Sequence, residues 1–251
     1  MCSTTDGKNG PVMGRRRAGD GSAVVSTFAL IHGAGDTGWY WHLVEAELRA
    51  RGHGVVAPDL PGDDESLTLD DYADAVVEAV GDRRDLVVVG QSFGAFTAPL
   101  VAARRPVESL ILVAGMVPAP GESPDDWWSS TDYAEAVRRQ AVRDGGLTGS
   151  HDPYVAFYHD VPRELAEEAM SKERPHPSPA ASSQPWPLDA WPPVPTRFVL
   201  CTQDRFLPPD FLRRLARDRL GVVPEEIAAS HCVALGHPVE LAEMLAGPGK
   251  D

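Results

Sequence analysis

Val87-Val88-Val89-Gly90-Gln91-Ser92-Phe93-Gly94-Ala95-Phe96 changes character twice in ten residues. Leu86 to Val89 is wholly apolar and mostly β-branched, as expected of a strand buried on both faces. From Phe93 to Ala103 small and apolar residues favour a closely packed helix. The passage from strand to helix through Gly90-x-Ser92-x-Gly94 demands a sharp turn, which lifts the serine hydroxyl clear of the sheet. A glycine on either side removes the Cβ atoms that would clash there. The motif alone is a modest signal; its place between strand and helix gives it weight.

Working outward, strands are expected at 26–31, 54–57, 109–113, 198–201 and, more weakly, 226–229. Helical patterns fall between them: 37–51, a helix capped by Thr68 with apolar face Leu69, Tyr72, Val76 and Val80, then 210–220 and 238–245. Short strands separated by helices call for parallel pairing, because parallel neighbours need crossover connections. The expected fold class is therefore α/β: a six-stranded, mostly parallel, doubly wound sheet in a single domain over 26–251, after a flexible leader, 1–25, in which Met13 is an alternative start. Residues 118–193 break the rhythm with dense Pro, Trp and Tyr. They are expected to form an inserted helical cap, with helices at 131–143 and 163–172 and an extended linker at 175–179.

The formal charge of -14 argues against nucleic acid or an anionic membrane as partner, and leaves a small-molecule substrate as the expectation. No apolar run approaches the ~20 residues that cross a bilayer. Cys2, Cys201 and Cys232 are odd in number and widely spaced, so neither a disulfide framework nor a structural zinc site is indicated. A reducing, cytoplasmic location without cofactor or metal is expected.

A serine nucleophile needs a base, and the base a carboxylate to fix its tautomer. His231 follows the last weak strand and precedes a helix, at the edge of a parallel sheet where function gathers. Its rival, His237, stands directly before Pro238 and reads as a residue at a helix start. Asp204 follows the strand at 198–201 at the same edge; Asp59, after another strand, is its rival. The order Ser92, Asp204, His231 is that of α/β-hydrolase triads. Oxyanion donors are expected from the amide of Phe93, at the helix N-terminus, and that of Ala34 in the turn His32-Gly33-Ala34-Gly35, where His32 reads as a structural hydrogen-bonder. Of the cap residues, Trp128, Tyr158 and His159 are the candidates for contact with substrate, although aromatic residues here also serve a cap's own core.

Leu30-Ile31-His32-Gly33-Ala34-Gly35, Trp39-Tyr40-Trp41, Ala57-Pro58-Asp59-Leu60-Pro61-Gly62, the serine turn, Leu200 to Asp204, and His231 through Pro238 to Leu241 together resemble the α/β-hydrolases that include plant methylesterases and hydroxynitrile lyases. The resemblance implies the fold, the triad and the two amide donors, but no substrate. Lyases of that group carry a lysine after the catalytic histidine; here Cys232 stands there, and the only lysines are Lys8, Lys172 and Lys250. A serine nucleophile also departs from the dehalogenase and epoxide-hydrolase branches, which attack with aspartate. The leading expectation is hydrolysis of a carboxylic ester or thioester through an acyl-Ser92 intermediate. The alternatives are a non-hydrolytic reaction on the same triad (carbon–carbon cleavage or a biosynthetic cyclisation) and a hydrolase-fold binding protein.

Overall fold

The computed structural model describes residues 25–247, so the leader reading lies outside the described residues except at Val25. In chain order the elements are β1 (Thr27–Ile31), a 3-10 turn (Gly38–Trp41), α1 (His42–Ala50), β2 (Gly54–Val56), α2 (Leu69–Val80), β3 (Leu86–Gln91), α3 (Gly94–Arg104) and β4 (Ser109–Val113). Then come α4 (Pro124–Ser130), α5 (Tyr133–Asp144), α6 (Pro153–Ala156), α7 (Arg163–Ser171), α8 (Pro179–Ser183), β5 (Thr196–Cys201), α9 (Pro209–Leu220), β6 (Glu225–Ile227), α10 (Val233–Gly236) and α11 (Pro238–Ala246).

The sheet order is β2-β1-β3-β4-β5-β6, and every pair is parallel. All six residues of β3 are buried, as are the last four of β1 and β4, which accounts for their unbroken apolar character. Helices supply the cover: α1 packs on α11, and α2 on α3. Thr68 and Asp71 close a capping box at the start of α2.

From β1 the chain steps outward to β2 and then returns to the other side as β3. The sheet's winding reverses between those two neighbours, and such a reversal opens a crevice beyond the C-terminal strand ends. Ile31 pairs with Gly90, Gln91 with Val113, and Cys201 with Ile227, so the loops after β1, β3, β5 and β6 all emerge along one edge.

Two local expectations are revised. The pattern at 37–51 divides into a 3-10 turn and a helix, because Gly38 is drawn against the 57–59 segment: its N–H donates to Asp59 Oδ1 at 2.7 Å, and a Cβ there would lie 2.2 Å from Ala57 O. The segment at 175–179 is no solvent-washed linker. Gly35 N–H donates to His176 O (2.8 Å) and Arg174 N–H to Gly35 O (2.9 Å), while His176 is 7% exposed and its ring packs on His32, Tyr72 and Phe93. Among the described residues, no helix is long and apolar enough to cross a membrane.

Candidate active site

Ser92 follows the last residue of β3 with φ +50°, a left-handed conformation that is costly for a residue bearing a Cβ. Backbone bonds hold it there. Ser92 N–H donates to Val113 O (3.0 Å), and Ser92 O accepts from Met116 (2.9 Å) and Ala95 (3.2 Å). The flanking glycines are needed for close approach: a Cβ on Gly90 would fall 2.6 Å from Gly94 O, and one on Gly94 would fall 2.8 Å from His32 O. The turn of the first strand and the turn of the third are thus pressed together.

The Phe93 amide heads α3, where the helix dipole favours negative charge. Among the described residues, the amides of Ala34 and Phe93 donate no hydrogen bond, whereas that of Gly35 is taken by His176 O. His32 is fully buried and sustains its turn: Nδ1 bonds Gly33 O (2.9 Å) and Nε2 accepts from Leu60 N–H (3.0 Å). Burial holds its pKa below the usual imidazole range.

Asp204 and His231 meet across the loops after β5 and β6. His231 Nδ1 lies 2.7 Å from Asp204 Oδ2, and Asp204 Oδ1 accepts from the amides of Phe206 and Leu207 at 2.8 Å each. Both side chains are buried. The rivals are engaged elsewhere. Asp59 receives Gly38 N–H and faces Arg174, and His237 pairs with Asp160 at 3.2 Å. On the far side of the imidazole, Gln91 Nε2 stands 3.2 Å from His231 Nε2.

The connection between β4 and β5 reaches this edge at several points. His159 Nε2 bonds Gln203 O (3.0 Å), and Asp160 Oδ2 accepts from Ser230 N–H (2.7 Å). Two consecutive residues thus fasten the loops that carry Asp204 and His231. Tyr158 is buried beside Cys232, and burial raises its phenol pKa. Trp128 is half-buried in an aromatic row with Tyr133, Phe157 and Phe206, and the rings of Phe206 and Phe157 reach His231 at 5.1 and 5.7 Å. Residue type alone gave no reason to single out Phe206; its position two residues past Asp204 could have done so.

Asp36 also went unremarked in the sequence. Burial pushes its carboxyl up to about 7, opposed by His231 when that ring is protonated and reinforced by the charge of Glu173. Among the described residues, no group of three or more His, Cys, Asp or Glu is arranged to hold a metal ion.

The chain resembles known proteins over most of its length. It is 26% identical to Methylesterase 7 of Arabidopsis thaliana over 247 residues, covering 87% of this chain and 94% of the relative. It is 24% identical to Salicylic acid-binding protein 2 of Nicotiana tabacum over 253 residues, with coverages of 87% and 95%. An extracellular alpha/beta-hydrolase from a Paenibacillus species superposes with a TM-score of 0.70 at 22% identity, covering 90% of this chain and all of that one, which bears on fold alone. The model of the Alpha/beta hydrolase family matches residues 28–244, and with the sheet, its winding and its loop edge now described, the chain belongs to that family.

Proposed function

We propose that this esterase-type hydrolase cleaves small carboxylic esters through a covalent acyl intermediate on Ser92, with His231 as base and Asp204 as its orienting carboxylate. The observation that carries the reading is the 2.7 Å bond from His231 Nδ1 to Asp204 Oδ2, at the same sheet edge as a serine held at φ +50°. With Nδ1–H donated to the carboxylate, Nε2 keeps a lone pair for the serine proton. Ser92 Oγ then attacks the ester carbonyl carbon, and the carbonyl electron pair moves onto oxygen. The open amides of Ala34 and Phe93 are suited to receive that oxyanion; removing one such donor typically costs ~3 kcal/mol of transition-state stabilisation. Collapse expels the alcohol, which takes its proton from the imidazolium. Water repeats the sequence on the acyl-enzyme, releasing the acid and free Ser92.

The relatives' names, methylesterase and esterase, support an ester substrate. The half-buried row Trp128, Tyr133, Phe157 and Phe206 beside His231 suits an apolar acyl group. We read the β4–β5 connection as a cap over the site, with Trp128 and Tyr158 on its substrate side and His159 as a fastener. Among the described residues Cys201 and Cys232 are unpaired and buried, in keeping with a reducing, cytoplasmic setting.

The test is labelling with a fluorophosphonate probe and peptide mapping, alongside p-nitrophenyl ester turnover. The expected result is a single adduct on Ser92 and loss of both label and turnover in Ser92→Ala. An adduct mapped to another residue overturns the assignment.

A further inference from the structure

Gln91 is 1% exposed, and its side chain spans two parts of the site. Its Nε2 lies 3.2 Å from His231 Nε2 and 3.5 Å from His231 O. Its Oε1 is buried with no hydrogen-bond partner among the described residues and rests against Gly33, where a Cβ would come within 2.3 Å of it. The amide therefore points its donor at the imidazole and leaves its acceptor unsatisfied. Turning it over would aim Oε1 at His231 Nε2, an arrangement that suits only a ring carrying a proton there. With Nδ1–H given to Asp204, a neutral ring offers Nε2 as acceptor, and the observed orientation fits that state. Among the described residues, no hydrogen bond joins Ser92 Oγ to His231, so Gln91 holds the lone pair that the reaction needs.

We propose that Gln91 is a positioning residue that keeps His231 neutral in the free enzyme by donating to Nε2, and yields that lone pair to Ser92 when substrate enters. The inference rests on the proposed roles of Ser92 and His231. Its physical content is a difference between two protonation states. The Gln91 donor stabilises the neutral imidazole and opposes the imidazolium, whose own Nε2–H would face it.

Other ionisable groups surround the ring. Asp204 bonds Nδ1, Asp36 acts on it by charge from the loop after β1, and Cys232 follows it, with Tyr158 beside that thiol. Asp160, which holds the Ser230 amide and pairs with His237, completes the set. Asp36 titrates in the same range as a histidine, so the comparison is made both in the native background and in Asp36→Asn.

The experiment measures kcat/KM for a p-nitrophenyl ester from pH 4.5 to 9 in the native chain, Gln91→Met and Gln91→Glu. The acid limb of kcat/KM reports the free enzyme's base. Gln91→Met keeps the bulk and removes the donor; its acid limb should move up by about one unit, the scale of one neutral hydrogen bond. Gln91→Glu should move it further, because a carboxylate facing Nε2 holds the imidazolium. An acid limb that stays in place or moves down in Gln91→Met, in a variant that melts like the native chain, overturns the proposal. If Gln91→Glu fails to fold, Gln91→Met still decides. Ser92→Ala, run in parallel, separates the two layers. A Ser92→Ala chain that still turns over condemns the nucleophile assignment, whereas an inactive Ser92→Ala with an unmoved Gln91→Met limb condemns only the role of Gln91.

Discussion

Asp204 divides its carboxylate: Oδ2 meets His231 Nδ1 at 2.7 Å, while Oδ1 is claimed by two backbone amides, those of Phe206 and Leu207. The division fixes what an amide in its place would do. In Asp204→Asn the backbone donors demand the oxygen, so the NH2 group must face His231 and impose the wrong tautomer. The expected outcome is a fall in kcat of about 10^4-fold with the fold intact, checked by ester turnover together with circular dichroism.

Gly33 separates the turn after β1 from the serine turn. A methyl there would lie 2.3 Å from Gln91 Oε1 and 3.1 Å from Ser92 Cβ. Gly33→Ala should spread the two turns and spoil the alignment of the Ala34 amide. We expect kcat to drop about 10^2-fold, the effect of losing one oxyanion donor, with KM little changed, as steady-state kinetics would reveal.

The Asp36 carboxyl, raised to about 7, binds its proton more tightly folded than unfolded. Its stabilising contribution is complete below pH 4 and is lost as pH rises through 7, a difference on the order of 3–4 kcal/mol. Asp36→Asn should therefore be more stable than the native chain at pH 8, and the gap should close towards pH 4. Urea melts at the two pH values measure it; a gap independent of pH would refute the assignment.

His176 has the opposite sign. Burial depresses its imidazole to about 3, and neither ring nitrogen has a hydrogen-bond partner among the described residues. Its contribution is intact above the unfolded value of about 6.5 and is lost as pH falls towards 3, by about 2 kcal/mol at pH 5. His176→Leu leaves no orphaned polar atom and should flatten the acid side of the Tm-against-pH curve.

The serine turn was legible because its information is local: an apolar run, two glycines and a small-residue helix lie within a few positions of Ser92. Asp204 and His231 could be read from their place after strands, since a parallel sheet brings all such loops to one edge. Gln91, Asp36 and His176 could not. Each takes its character from groups remote in sequence: Gln91 from His231, Asp36 from His231 and Glu173, His176 from His32, Tyr72 and Phe93. A proline-flanked histidine reads as linker until its neighbours in space are known. Likewise, the break in the helix after Thr37 depends on Asp59, in a different loop.

The paired backbone bonds between Gly35 and the Arg174–His176 stretch bear on any exchange of specificity. They splice the long connection to the turn after the first strand, while His159 and Asp160 join it a second time to the loops after β5 and β6. A graft that imports a relative's substrate preference should therefore keep both joints native, His159–Asp160 and the stretch from Arg174 onward; one that replaced either would also detune the machinery beneath it.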